Sequence, residues 1–401
     1  MIRSIKGSQL LYQITILLFF FNCSSHAPSQ EKGKASIVIE MDTLYIENLR
    51  TQSPIEIHLD QLEHGAPLKF TEIFELIDSV KLTGKGFNQR EYIEKIVVDQ
   101  EIILIVSGGV FGAKEIHKFE KNGKYIGLLE PYNTNDRNGT YQRINDIAFD
   151  SQNGIVYVLD NTQYILVKYK IDGYFLGNID LISGVFPEKV FYSNFLCDAI
   201  TTDPQGNLLI HYNYYDGNQV PYNYYLYNAK EELITTKKSF RTFEGTTGNP
   251  KGIDPGTSSY YYRGLLHVKD HGDTVYCVVQ DQFIPKYVFI SKSSMEQAVL
   301  SKEYRKFPAL TYQMMETDDY LLFSYRIFEM ERSTKTYMNY YVFFNKNNQK
   351  CYLIARANGT QISQHRFFDE LLVYRLPQIG PDNACHIFDQ NTGVLKKYIL
   401  K

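Results

Sequence analysis

The chain has 401 residues, with 33 Tyr, 25 Phe, no Trp and a net charge of −3. Its 13 prolines and 26 glycines are too few for a disordered or fibrous chain. The 42 basic and 45 acidic residues are interspersed, and no basic stripe exists, so nucleic acid is not an expected partner.

Residues 1–23 read as a targeting segment. Arg3 and Lys6 form a positive start, and Leu10–Phe21 is a short apolar run, too short to span a membrane well. Cys23 follows Asn22 and matches the lipidated cysteine of a bacterial lipoprotein signal, except that Asn22 stands where a small residue is usual. Residues 24–36, which hold Ser24, Ser25, Pro28 and Ser29, read as a flexible tether. The expected location is the cell envelope, at the outer membrane, held by a lipid on Cys23.

Residues 37–401 read as one domain. Its first part, 37–84, holds strand-like pieces at Ile37–Met41, Thr43–Ile46, Ile55–Leu59 and Ile73–Leu82. From residue 93 a pattern recurs. Ile93–Asp99 (IEKIVVD), Ile144–Asp150 (INDIAFD) and Cys197–Asp203 (CDAITTD) each open a set of strands. The period is roughly 50 residues, that of β-propeller blades. The second copy continues with Ile155–Asp160, Tyr164–Ile171 and Tyr174–Leu181, the last two joined by Asp172-Gly173. Such a pair between alternating strands signals a hairpin, because both residues tolerate positive φ. Asn122-Gly123 makes the same joint in the first copy.

Later copies drift. The third spans Cys197–Phe240. The fourth opens at Leu265–Lys269 and ends at Ala298–Arg305. The fifth runs from Leu310–Glu316 to Lys350–Arg356. The sixth takes Ile362–Phe368, Leu371–Leu376, Ala384–Phe388 and Val394–Leu400. The fold expected is all-β: a six-bladed β-propeller of four-stranded antiparallel blades, which leaves no long open sheet edge. Closure is expected to recruit Ile73–Leu82 beside the last blade, although the C-terminal segment already supplies four strands there. Two packed β-sandwiches are the rival architecture, and they require no internal period.

In a propeller the connections between blades share one face with the middle turn of each blade. The joints Asn122-Gly123, Asp172-Gly173 and Asn347–Gln349 are tight, whereas Pro131–Arg143, Ile182–Leu196, Tyr214–Pro221 and Arg241–Gly264 are long. Long loops on a rigid scaffold carry function. The candidate ligand contacts on that face are Arg137, Tyr141, Arg143, Tyr192, Tyr214, Tyr215, Asp216, Tyr260, Tyr261, Tyr262 and Arg263. Tyrosine combines contact area with a hydrogen-bonding tip, and arginine offers a planar fork for carboxylates or phosphates. The competing reading is that these tyrosines pack between blades.

Other constellations carry less. His267 and His271 have helical i, i+4 spacing but lie in a strand-and-turn stretch. Asp318-Asp319, and Asp198 with Asp203, fit turns and the repeat. Gly108–Gly112 reads as a loop inside a blade, and Asn138–Thr140 forms a sequon that a bacterial leader makes idle. No nucleotide-binding or nucleophile-elbow motif occurs, so neither cofactor nor metal is expected. Cys197, Cys277, Cys351 and Cys385 read as buried free thiols, with a Cys351–Cys385 bridge between neighbouring blades left open by the export signal.

The leader, Ile73–Leu82 and Asn138–Asp150 (NGTYQRINDIAFD) together resemble the Bacteroides-type six-bladed propeller lipoproteins of uncharacterised function, relatives of the NHL-repeat propellers. Gly139, Tyr141, Ile144, Asp146 and Asp150 keep that family's frame, while Thr140 stands in for its longer turn. The family's hairpin is matched by Phe119–Ile126 and Tyr169–Leu176. The resemblance covers about 70–401 and implies the fold, but no catalytic residues. The function expected is an envelope-anchored binding module for an unidentified envelope protein or small ligand. The alternative is an NHL-type lyase, lactonase or other hydrolase at the central channel, with Asp146, Asp198, His267 and His365 as its visible candidates.

Overall fold

A computed structural model describes residues 43–59, 61–64, 74–89, 91–108, 114–130, 140–181, 197–203, 205–212, 222–238, 258–269, 274–290, 306–331, 334–358, 366–368, 371–372, 378–379 and 384–400. All of these fall in the unit Ile39–Lys401.

The chain enters through α1 (Thr43–Thr51), β1 (Ile55–His58), β2 (Leu62–His64) and β3 (Phe74–Lys81). Blade one is β4 (Ile93–Val98), β5 (Ile102–Gly108), β6 (Lys114–Glu120) and β7 (Tyr125–Leu128). Blade two is β8 (Asp146–Asp150), β9 (Ile155–Asp160), β10 (Ile165–Lys170) and β11 (Phe175–Asp180). Blade three is β12 (Cys197–Thr202), β13 (Leu208–Tyr212), β14 (Tyr222–Tyr227) and β15 (Leu233–Lys238). These three follow the sequence frame.

Blade four does not. Its strands are β16 (Ser258–Tyr262), β17 (Leu265–Lys269), β18 (Thr274–Val279) and β19 (Gln282–Ile290). Leu265–Lys269 is therefore the second strand, not the first, and the expected outer strand Ala298–Arg305 lies outside the described residues. The joint that hid this is Arg263-Gly264, with φ of 50° and 70°. Both residues sit in the left-handed region that a two-residue hairpin needs, and arginine is an unusual choice there.

Blade five is β20 (Lys306–Glu316), β21 (Tyr320–Glu331), β22 (Thr334–Asn345) and β23 (Lys350–Asn358). Near it, β24 (Arg366–Phe368) and β25 (Leu371–Leu372) form a two-stranded sheet of their own. The closing blade is β26 (Gln378–Ile379), β27 (Cys385–Asp389), β28 (Val394–Leu400) and, outermost, β3. The N-terminal strand thus closes the ring as expected. Of the expected sixth-blade strands Ile362–Phe368 and Leu371–Leu376, the described residues 366–368 and 371–372 pair with each other and not with that sheet, and the rest lie outside the described residues.

The same N-terminal segment works as a rim strap. β1 adds parallel to β19 as a fifth strand of blade four, and β2 adds parallel to β23 on blade five. β3 pairs antiparallel with β28, and Thr83 bridges Lys124 of blade one. The described parts of this segment thus supply the outermost strand of blades four, five and six and one bridge to blade one. One expectation fails here: Thr43–Ile46 is helical. Tyr45, Ile46 and Leu49 line one side of α1 and pack on blade four, while Arg50 sits in its last turn, where a cation suits the helix dipole.

The core lies in layers between blades, for example Val156, Val158, Val167 and Tyr169 against Leu104, Val106 and Ile116. Among the described residues the four cysteines, Cys197, Cys277, Cys351 and Cys385, are buried and free, so Cys351 and Cys385 do not pair. Among the described residues, no helix is long and apolar enough to cross a membrane.

The recurring aspartate has a local cause. Asp150 Oδ1 accepts the N–H groups of Gln152 (3.0 Å) and Asn153 (3.2 Å). Asp203 Oδ1 accepts those of Gln205 (2.9 Å) and Asn207 (2.8 Å). In blades two and three the carboxylate at the end of the inner strand caps the turn to the next one.

Closure through β3 makes a direct prediction. A chain beginning at residue 85 should lose its cooperative urea transition, because blade six then lacks its outer strand. A separate peptide spanning residues 70–84 should restore that transition, read by circular dichroism. A cooperative transition without the peptide would contradict closure by this strand.

Candidate functional site

The most concentrated chemistry among the described residues lies between blades four and five. β16 and β20 run side by side there. Residues alternate along a strand, so Tyr260 and Tyr262 face blade five, while Tyr261 faces blade three and donates to the Thr202 carbonyl. Glu316 ends β20 and is fully buried. Its carboxylate accepts from Lys286 Nζ (2.6 and 2.7 Å), Lys346 Nζ (2.6 Å), Tyr260 Oη (2.8 Å) and Tyr287 Oη (2.7 Å). Lys346 also donates to the Thr317 carbonyl.

His267, on β17, stacks on Tyr260 with centroids 4.8 Å apart and planes 12° from parallel. Its Nδ1 lies 3.1 Å from the Leu265 carbonyl and so carries the proton. Nε2 is then the acceptor, facing Tyr45 Oη at 3.1 Å and Lys286 Nζ at 3.3 Å. Nearer the surface, Tyr262 Oη donates to Asp318 Oδ1 (2.5 Å), and Arg263 Nη2 donates to the same oxygen (2.9 Å). Lys286 and Lys346 lie 4.4 and 4.5 Å from the Tyr262 ring centroid.

Burial and charge pull these groups in opposite directions. Burial alone would raise the Glu316 carboxyl, but the ammonium groups of Lys286 and Lys346 outweigh it and hold it at about 2. Burial lowers Lys286 to about 8 against the opposing attraction of Glu316. Burial, followed by the Lys286 charge, pushes His267 well below the ordinary histidine value, so the ring is neutral. Burial pushes the Cys277 thiol up to about 12. An ionised carboxylate, a lysine near neutrality and a neutral histidine in one recess are groups able to bind or move a proton.

The sequence candidates fare unevenly. Arg137, Tyr192, Tyr214, Tyr215 and Asp216 lie outside the described residues, as do His271, His365 and the side chain of Asp198. Tyr260, Tyr262 and Arg263 come together, but not on the face expected. β16 is an inner strand, and Arg263 forms the tight turn after it, so these residues belong to the short-turn face. Tyr141 packs edge-on against Tyr169 (6.1 Å), and burial raises its hydroxyl to about 12. Arg143 stays exposed on the long-connection face. There Asp160 Oδ2 accepts the N–H groups of Gln142 (2.5 Å) and Arg143 (3.2 Å), fixing the end of the connection between blades one and two.

Asp146 is a spacer at the inner strands. Its carboxylate takes Lys95 Nζ of blade one (2.6 Å) and the Ile200 N–H of blade three (2.9 Å). Asp146 and His267 therefore serve different partners. Among the described residues no three His, Cys, Asp or Glu side chains gather as a metal site. Sequence reading missed Lys286, Glu316 and Lys346. Lys286 and Lys346 read as ordinary solvated strand and turn charges, and only the fold makes them neighbours of Glu316.

A family model described as "Domain of unknown function (DUF4934)" matches residues 54–398. The chain belongs to this family. A solved structure from Bacteroides fragilis, described as a "Putative exported protein", is 16% identical and has a TM-score of 0.50. The match covers 75% of this chain and 80% of that one. A protein of unknown function from Bacteroides thetaiotaomicron is 13% identical over 82% of this chain and 76% of that one, with a TM-score of 0.41. A DUF4221 member from Bacteroides vulgatus is 10% identical over 82% of this chain and 99% of that one, with a TM-score of 0.45. At these identities the first likeness speaks to the fold alone. No curated protein matches the sequence.

The buried cluster should respond to single deletions far more than to a joint one. Glu316→Gln alone should cost about 3–5 kcal/mol in urea unfolding, since it leaves Lys286 buried without its counter-ion, and Lys286→Met should cost less, because Lys346 still pairs with Glu316. The double variant Lys286→Met/Glu316→Leu should recover much of that loss. The pH dependence has a definite sign. The Glu316 carboxyl is lowered from 4.5 to about 2 on folding, so its contribution is present above pH 4.5 and fades as pH falls towards 2. Acid titration of the double variant should lack that component.

Proposed function

We propose that this chain is an exported envelope protein, anchored by a lipid on Cys23 at the outer membrane, whose propeller serves as a binding module. Recognition belongs to the face of long connections between blades, where the sequence places Arg137, Tyr192, Tyr214, Tyr215 and Asp216. The partner is an envelope protein or a small ligand. The observation that carries this reading is the Asp160 clamp. It holds Gln142 and Arg143 by their backbone and leaves the Arg143 side chain exposed, a loop root preorganised for a partner. Export is supported by the leader and by the description of the Bacteroides fragilis relative. The use of Asp146 as an inter-blade tie favours binding over channel catalysis.

Cross-linking in intact cells tests the face. Arg143→Glu combined with Tyr214→Ala and Tyr215→Ala should weaken partner capture by more than about tenfold, the scale of an arginine and aromatic hot spot. Arg263→Ala, on the opposite face, should leave capture unchanged. Equal capture by the triple variant would reject the face. Cys23→Ser should move the protein from the membrane to the soluble fraction, and continued membrane association would reject the lipid anchor.

A further inference from the structure

The recess between blades four and five holds a guest from its own chain. Tyr45 enters it from α1. Its hydroxyl meets His267 Nε2 at 3.1 Å, and its ring packs edge-on against Tyr262 at 5.6 Å and 84°. Lys286 Nζ lies 5.0 Å and Arg263 Cζ 5.4 Å from the ring centroid. Cations over an aromatic face, an edge-to-face neighbour and an acceptor nitrogen for the hydroxyl are together the requirements of a phenol.

The element that delivers this ring is weakly held. α1 has nine residues, and helices below about 12–15 residues do not support themselves in water. Its seat consists of Tyr45, Ile46 and Leu49, while Leu44 is 67% exposed. Immediately after it, β1 is locked into blade four through four residues, Ile55–His58, by parallel pairing with β19. Residues 52–54 connect the two elements. Lifting α1 would keep the β1–β19 pairing while uncovering Lys286, His267, Tyr262 and Arg263, together with the apolar seat of Ile46. Ionised groups buried beneath a short removable helix mark a site more readily than a stabilising device, because a buried ion pair adds little net stability.

We propose that this recess is a binding site for a neutral aryl hydroxyl, the phenol of a tyrosine or a small aromatic alcohol, and that Tyr45 fills it in cis as a displaceable plug. The selectivity follows from charge. The neutral His267 accepts from a hydroxyl alongside Lys286 and gives nothing to a phenolate oxygen, and the Glu316 carboxylate opposes a phenolate. Consistently, burial and then Glu316 push the Tyr45 hydroxyl far above its ordinary value. The site lies on the face opposite Arg143 and stands or falls separately from the reading of that face.

The test uses the full chain with p-cresol, N-acetyl-tyrosinamide and toluene as probes, measured by calorimetry. Tyr45→Ala should bind p-cresol at least about tenfold more tightly than toluene, because a buried acceptor rejects an analogue without a donor. Adding His267→Leu should abolish that preference. The unaltered protein should bind p-cresol more weakly than Tyr45→Ala, since the plug must first open. Preference for N-acetyl-tyrosinamide over p-cresol would assign the site to a protein or peptide tyrosine, and the reverse order to a free aromatic alcohol. Equal binding of toluene and p-cresol would reduce the recess to a cavity made by truncation and overturn the proposal. Hydrogen exchange on the unaltered chain provides a measurement independent of any variant's folding. Amides of α1 should exchange at least about tenfold faster than those of β1, and p-cresol should speed them further. Exchange of α1 only at the global unfolding rate would also overturn it.

Discussion

A blade in a ring has two faces to bury and two edges to finish. Neighbouring blades take care of the faces, but an edge needs a strand. The antiparallel pairing of Phe74–Lys81 with Val394–Leu400 supplies the missing strand of the last blade and joins the two ends of the domain. That one pairing dictates the course of the chain before it. To arrive at blade six as an outer strand, the N-terminal segment passes along the rim. It pairs in parallel with blade four at Ile55–His58 and with blade five at Leu62–His64. Ile57 and Leu59 become part of the core between those blades, fully or nearly fully buried. The start of the strap is where α1 sits, so the helix owes its place over blade four to a closure made at blade six.

Burial between blades then decides what polar side chains can do. Asp150, Asp160 and Asp203 each spend their oxygens on backbone N–H groups of turns. Asp146 ties three inner strands through Lys95 and the Ile200 N–H. These aspartates recur because a carboxylate at the end of a strand solves the same turn in each copy. A repeat of acidic residues in such a chain is thus evidence about turns before it is evidence about chemistry.

The fold was legible where local chemistry repeats. Asn122-Gly123 and Asp172-Gly173 announce hairpins, and the terminal aspartates announce inner strands, so the first three blades can be read from the sequence. Legibility ends where a turn uses an unusual residue. Arg263 at a φ of 50° conceals the hairpin that opens blade four, and the tyrosine run before it looks like loop instead of strand. α1 was hidden for a different reason. Its sequence has only a narrow apolar stripe, and it is helical because blade four offers that stripe a seat. Of the candidate site, Tyr260, Tyr262 and Arg263 were visible as aromatic and cationic residues. Lys286, Glu316 and Lys346 were not, because three charges far apart in sequence become neighbours only when two blades dock.

The docking of those blades also explains why charge survives inside the interface. Glu316 ends its strand at the boundary between two blades, where lysine and tyrosine side chains supply donors that an interface of aliphatic side chains lacks. Two ammonium groups and two phenols fill its hydrogen-bonding capacity, so the carboxylate is tolerated without water. His267 has no such surplus. Its Nδ1 proton is committed to the Leu265 carbonyl, and its Nε2 looks outward to the phenol that α1 brings. The polar chain therefore runs from a carboxylate satisfied by the fold, through lysine, to a histidine whose partner is carried on a nine-residue helix. The interior end is held by three strands of two blades and a turn, and the exterior end is carried on a short helix. An arrangement graded in this way lets the outermost partner change while the charges beneath it keep their places.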